Sequence, residues 1–201
     1  MGQRLVCTVT KNEKEICKIY YHWSAYTISA LYEAQKIVDC ICERTNETEK
    51  DLQLRLIRFC EENGGGISGF EGGREHTYIQ EMFPNCTFRQ DGYSRNNGLI
   101  ALSETGMQDL QDWSEGDVTI DVDAQMIYHY VFSCYDNIEE YNEERKSWDD
   151  EYCGIEYNEV PNIGYDIGEI SFDDIDKVIA ALGSANANPV RNGTDIFELI
   201  E

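Results

Sequence analysis

Asp121 and Asp123 stand two residues apart, with Asp117 four residues before them, in the alternating run Asp117-Val-Thr-Ile-Asp-Val-Asp123. Residues two apart on a strand share a face. Paired carboxylates so placed can hold Mg²⁺ against phosphate in phosphoryl- and nucleotidyl-transfer enzymes. Here the pair has no accompanying motif. There is no Walker loop, EF-hand loop or dinucleotide glycine fingerprint, and the six glycines between Gly64 and Gly73 are not followed by Gly-Lys-Ser/Thr. No metal or other cofactor is expected.

A second set is cationic. Arg74, Arg89 and Arg95 cluster around the glycine-rich stretch, and guanidinium groups suit the phosphates of a signalling nucleotide. That is the alternative reading of the chain as a nucleotide sponge, although the overall charge opposes an anionic ligand. Three histidines and eight cysteines supply ingredients for nucleophilic catalysis without marking any pair as neighbours. His22, beside Trp23, reads as a hydrogen-bonded residue at a hairpin end, and His129 as a sheet position. His76 follows Arg74 and Glu75 and is the remaining candidate base. Cys40-Ile-Cys42 has neither redox nor zinc spacing, so the cysteines read as reduced core thiols.

The third set dominates. Residues 1–100 carry 14 acidic and 12 basic side chains, net −2, whereas residues 101–201 carry 25 acidic and 4 basic, net −21. A field of that sign repels nucleic acid and draws basic proteins. The partner-binding candidates are Asp117, Asp121, Asp123, Glu139, Glu140, Glu143, Glu144, Asp149, Asp150 and Glu151. Trp148 joins them because rings among carboxylates are typical interface anchors. B-form DNA presents one negative charge per roughly 1.7 Å of axis, and proteins that grip it array lysine and arginine to match. A protein displaying carboxylates at similar density can occupy the same groove; a merely solvated acidic face is the plain alternative.

These residues need a scaffold. With 41% hydrophobic and 11% aromatic residues, the chain has enough apolar surface to fold rather than remain an acidic coil. Arg4–Thr10 and Glu15–His22 are β-rich runs flanking a polar turn, a predicted hairpin whose exposed edge offers pairing to a second copy. Helical spacing from Ser24 through Leu31, Tyr32, Ile37, Val38 and Ile41 predicts a helix of about twenty residues ending near Thr45. Thr48 with Asp51 caps a second helix, stopped by Asn63-Gly64-Gly65-Gly66. Gly64–Gly73 reads as a loop, with a lobe division near 63–75 as an option inside one 1–201 domain. A short helix is expected at Glu75–Met82, a strand at Leu99–Ser103 and a short helix or turn at Met107–Trp113.

Asp117–Asp123 and Met126–Tyr135 predict an antiparallel pair with one acidic side. Ser171 and Asp174 cap a last helix on Ile175, Val178, Ile179 and Leu182, stopped at Gly183, before a loop-like tail at 184–201. The fold class is α+β: an N-terminal hairpin, two helices, an antiparallel sheet with an acidic face, and a C-terminal helix.

The second hairpin strand ends Ile19-Tyr20-Tyr21-His22-Trp23-Ser24-Ala25-Tyr26 after a Met-Gly-x-Arg start. This resembles small phage and prophage proteins that open with a β-hairpin and carry Tyr-x-His-Trp-Asp-Gly-Tyr at its end. The likeness covers the first 30 or so residues and departs at Ser24 and Ala25, where that family has Asp and Gly. It implies a phage or mobile-element origin and brings no chemistry of its own. No stretch has the roughly 18 consecutive apolar residues of a membrane span, and residues 1–5 lack the apolar run of a secretion signal. A cytoplasmic protein is expected, non-enzymatic, binding a basic nucleic-acid-handling protein and not nucleic acid itself.

Overall fold

Asn12 and Glu13 adopt left-handed backbone conformations, φ +53° and +61°, which gives a two-residue turn whose twist matches the strands it joins. In the computed structural model, which describes residues 4–25, 27–42, 47–91, 97–131 and 168–184, that turn links β1 (Leu5–Lys11) to antiparallel β2 (Lys14–Tyr21). Helix α1 (Thr27–Cys42) starts later than its periodicity predicts, and its expected end near Thr45 lies outside the described residues. Ala30, Leu31, Ala34, Ile37, Val38 and Ile41 form its buried stripe, while Tyr32, expected on that stripe, is exposed. Helix α2 (Glu49–Glu62) begins as expected: the Thr48 hydroxyl accepts from Asp51 N at 3.2 Å and donates to Asp51 Oδ2 at 2.7 Å.

The glycine stretch is not the loop expected. Gly66–Ser68 is a buried strand, β3, followed by a 3-10 turn at Phe70–Gly73 and by α3 (Arg74–Met82). Glycine is needed for close approach here, since a Cβ at Gly65 would lie 2.0 Å from the Gly98 carbonyl oxygen. Strands from both sides of the stretch therefore hydrogen-bond within one sheet.

Beyond it lie β4 (Gln90–Asp91), β5 (Leu99–Ala101), α4 (Glu104–Gln111), β6 (Gly116–Asp121), β7 (Met126–Val131), β8 (Gly168–Ser171) and α5 (Ile175–Ser184). Helix α5 includes Gly183, its expected stop, and Ser184. The chain is α+β, and its described strands form a sheet in the order β4-β3-β5-β2-β1-β6-β7-β8. The expected antiparallel pairing holds for β6 with β7, and β8, which the sequence did not predict, adds antiparallel to β7. Parallel pairing of β1 with β6, and of β3 with β4 and β5, makes the whole sheet mixed.

This order overturns one expectation. The hairpin sits at the centre, β2 bonded to β5 and β1 to β6, so it presents no exposed edge for a second copy.

Period-2 alternation then separates two faces. Leu5, Cys7, Val9, Cys17, Ile19, Tyr21, Ile67, Ile100, Val118, Ile120, Ile127 and Ile170 point into a core shared with α1, α2, α3 and α5. On the opposite face α4 covers a small patch of Val6, Tyr20, Leu99 and Ala101 with Leu110. Beyond α4 that face carries Thr8, Thr10, Asp117, Thr119, Asp121, Met126, Tyr128 and Tyr130, and we refer to it as the open face.

Candidate functional site

The open face is where the predicted acidic side of β6 falls, and its burial alternates as the sequence implied. Each of the three aspartates is nonetheless engaged locally. Asp117 accepts from Gln111 Nε2 at 3.0 and 3.1 Å and from Ser114 Oγ at 2.6 Å. Gln111 in turn accepts from Lys18 Nζ at 2.7 Å, so one amide links a buried ammonium to a carboxylate. Asp121 Oδ1 accepts from the backbone N–H of Asp123 at 3.0 Å and of Ala124 at 2.9 Å. It shapes the turn into β7, which Gln125 completes at φ +54°. Asp123 accepts from Asn12 N in the hairpin turn and lies 3.8 Å from Lys11 Nζ.

Asp121 and Asp123 therefore do not converge as a metal-holding pair, and no cluster of three metal-ligating side chains exists among the described residues. The other predicted contact residues, Glu139, Glu140, Glu143, Glu144, Trp148, Asp149, Asp150 and Glu151, lie outside the described residues. So does Arg95. In sequence the predicted contact residues fall between β7 and β8, where Gly168 pairs with His129. Residues 132–167 hold 11 acidic and 2 basic side chains, net −9.

Arg74 opens α3 and Arg89 precedes β4, both exposed. Neither lines the two described cavities, of about 380 and 70 Å³. The larger is bordered by Lys11, Arg55, Glu47 and Asp123, two cations against two carboxylates. Arg55 is already committed to Glu47 and to the Cys40 carbonyl at the end of α1. A phosphate has no spare cation there.

His22 Nδ1 shares a 2.7 Å hydrogen bond with the Tyr20 hydroxyl, and the His22 ring meets Trp23 edge-on at 4.8 Å. His129 is buried on the core side of β7. Cys7, Cys17 and Cys60 are free and buried, and burial pushes all three thiols well above their ordinary value. Such thiols are poor nucleophiles.

Sequence reasoning missed Glu75 as a structural acid. It is buried, with 3% exposure; Oε1 accepts from Leu102 N at 2.6 Å and Ser103 N at 3.1 Å, and Oε2 from the Ser103 hydroxyl. Ser103 is the N-cap of α4, accepting from Gly106 N at 3.0 Å. Gly106 is required beside it, because a Cβ there would stand 2.2 Å from Glu75 Oε2.

Also missed were the rings around the open face. Tyr128 and Tyr130 are 38% and 50% exposed, and Trp113, just past α4, is 49% exposed under the guanidinium of Arg4 at 5.4 Å. Arg4 is held by Glu115 at 2.9 Å. The signal was present in the period-2 alternation of 126–131, which places Met126, Tyr128 and Tyr130 opposite Asp121, Thr119 and Asp117.

No family model, curated protein or solved structure matches the chain. No described helix is long and apolar enough to cross a membrane.

Proposed function

We propose that this protein is a phage or prophage counter-defence factor acting in the host cytoplasm. In this reading its second half binds a basic nucleic-acid-handling protein, a restriction or CRISPR-type effector, in place of DNA. One observation carries it: residues 101–201 hold 25 acids against 4 bases. The first half does little to offset them. Among the described residues its cations reach the second half in two ion pairs, Arg4 with Glu115 and Lys11 with Asp123.

Asp117, Asp121 and Asp123 have structural duties, which shifts the weight of the mimicry onto Glu139, Glu140, Glu143, Glu144, Asp149, Asp150 and Glu151. Carboxylates at that density attract a cationic groove over about a Debye length, roughly 8 to 10 Å at physiological salt. They speed encounter more than they tighten the final complex. The likeness of the hairpin end to phage proteins supports the origin.

The test is inhibition of a purified restriction or CRISPR nuclease across a salt series. The wild-type chain is expected to lose affinity steeply as salt rises. The quadruple variant Glu143→Lys, Glu144→Lys, Asp149→Lys, Asp150→Lys is expected to bind on the order of 100-fold more weakly. Undiminished inhibition by that variant would remove the reading.

A further inference from the structure

A carboxylate array sets the sign of a partner and little of its shape, so a specific complex needs an anchored surface as well. The open face of β6 and β7 has the composition for one. Tyr128 and Tyr130 stand 38% and 50% exposed, while Ile127 and His129, which alternate with them, are 0% and 3% exposed. The rings project from a strand whose other side is locked in the core, so ordering them on binding costs little entropy. Register sets them one strand spacing from Thr119 and Asp117, and Met126 faces Asp121. Next to them on β8, Glu169 pairs with Tyr128.

The open-face positions of β6, β7 and β8 thus hold three carboxylates, two phenols and no lysine or arginine. The nearest cations are occupied: Lys18, 7% exposed, is bound to Gln111, and Arg4, over the Trp113 ring, is held by Glu115. Trp113 closes the side where α4 ends.

The geometry points to this open face, with Tyr128 and Tyr130 as ring anchors, as the docking surface for a lysine- and arginine-rich segment of a protein. The inference rests on the cationic-partner reading above and deepens it by naming where the partner sits. Long basic side chains fit such a face in two ways. Their methylene stems lie along the rings, and their charged ends reach a ring face or the exposed carboxylate of Glu169.

The experiment uses the full chain and a synthetic lysine- and arginine-rich peptide as the probe. Amide and ring resonances of Thr119, Tyr128 and Tyr130 are expected to shift on titration; shifts confined to other regions overturn the proposal. Tyr128→Ala with Tyr130→Ala is expected to weaken binding about tenfold or more. Its slope of log Kd against log salt should match the wild type, because no charge is removed. Tyr128→Phe with Tyr130→Phe keeps the rings and is expected to stay within about twofold of wild type. An alanine pair that folds and binds like wild type overturns the proposal. Where charge reversal at residues 143, 144, 149 and 150 weakens the peptide and the alanine pair does not, the docking face falls and the acidic reading stands. Where charge reversal changes nothing, the acidic reading itself falls.

Discussion

On one face of the sheet, α1, α2, α3 and α5 are held by side chains such as Leu31, Leu56, Ile57, Ile79 and Val178, packed against Cys7, Cys17, Ile19 and Val118. On the other, α4 rests on a small apolar patch and is tied down by polar groups: Glu75 at its start and Gln111 and Ser114 at its end. The same strands serve both faces, so the difference comes from alternate residues alone. Non-directional packing tolerates a wide apolar interface, whereas carboxylate and amide contacts fix a short helix at two points and leave the strands beyond it uncovered. That remainder, which no described helix covers, is the open face, and it carries the exposed tyrosines.

The largest expected effect isolates the buried face. Burial raises the pKa of Cys7, Cys17 and Cys60, and of Tyr21 beside them. The folded state therefore keeps protons that the unfolded chain releases. Stability is full below the ordinary thiol value near 9 and falls as pH rises above it toward the folded values. One pH unit above that value, the three thiols together are expected to cost about 4 kcal/mol. Urea midpoints between about pH 8 and pH 10 measure this. Cys17→Ala should lower the number of protons released on unfolding by one. A flat profile would mean that the thiols are not secluded, and the contrast between faces would dissolve.

The next tests the polar face at the start of α4. Removing Glu75 leaves the N–H groups of Leu102 and Ser103 buried without an acceptor, so Glu75→Ala is expected to destabilise by about 2 to 3 kcal/mol. Glu75→Gln keeps one carbonyl oxygen and should cost less. Hydrogen exchange of the α4 amides should rise before that of α2. Equal acceleration in both helices would mean that α4 is not separately anchored.

The features legible in the sequence are local ones. The acidic side of β6 followed from Val118 and Ile120 alternating with Asp117, Thr119 and Asp121, since one buried face imposes a period of two. The start of α2 followed from Thr48 and Asp51, three residues apart. β3 was illegible because Gly66-Ile67-Ser68 becomes a strand only through partners at Leu99 and Ile100, and only because Gly65 and Gly98 lack side chains. The parallel pairing of Leu5 with Gly116 spans 111 positions and leaves no local trace. At the candidate site, the excess of carboxylates was plain from composition. That Asp123 is engaged was not, because its partner Asn12 is 111 positions away, and Asp117 and Asp121 are engaged by the end of α4 and by a turn, which composition does not reveal. Glu75 read only as a neighbour of the candidate base His76, because the N–H groups that donate to it lie 27 and 28 residues downstream.

The smallest effect concerns the other end of α4, where two explanations compete. Leu110 is buried against Val6, Tyr20 and Leu99, so apolar contact alone is one account of why the helix stays down. Gln111 is the other, since its side chain accepts from Lys18 and donates to Asp117. Gln111→Ala removes the link and keeps good helix propensity. It leaves Lys18, 7% exposed, with Glu15 at 3.3 Å, and leaves Asp117 with Ser114. Because each charge retains one partner, the expected loss is about 1 kcal/mol, below that at Glu75, where the N–H groups retain none. Thermal melts resolve a difference of that size, about 2 to 4 °C for a chain of this length. A loss matching Glu75→Ala would make the bridge an equal clamp, and no loss would assign that end of α4 to Leu110, so that the polar character of this face would belong to its first turn only.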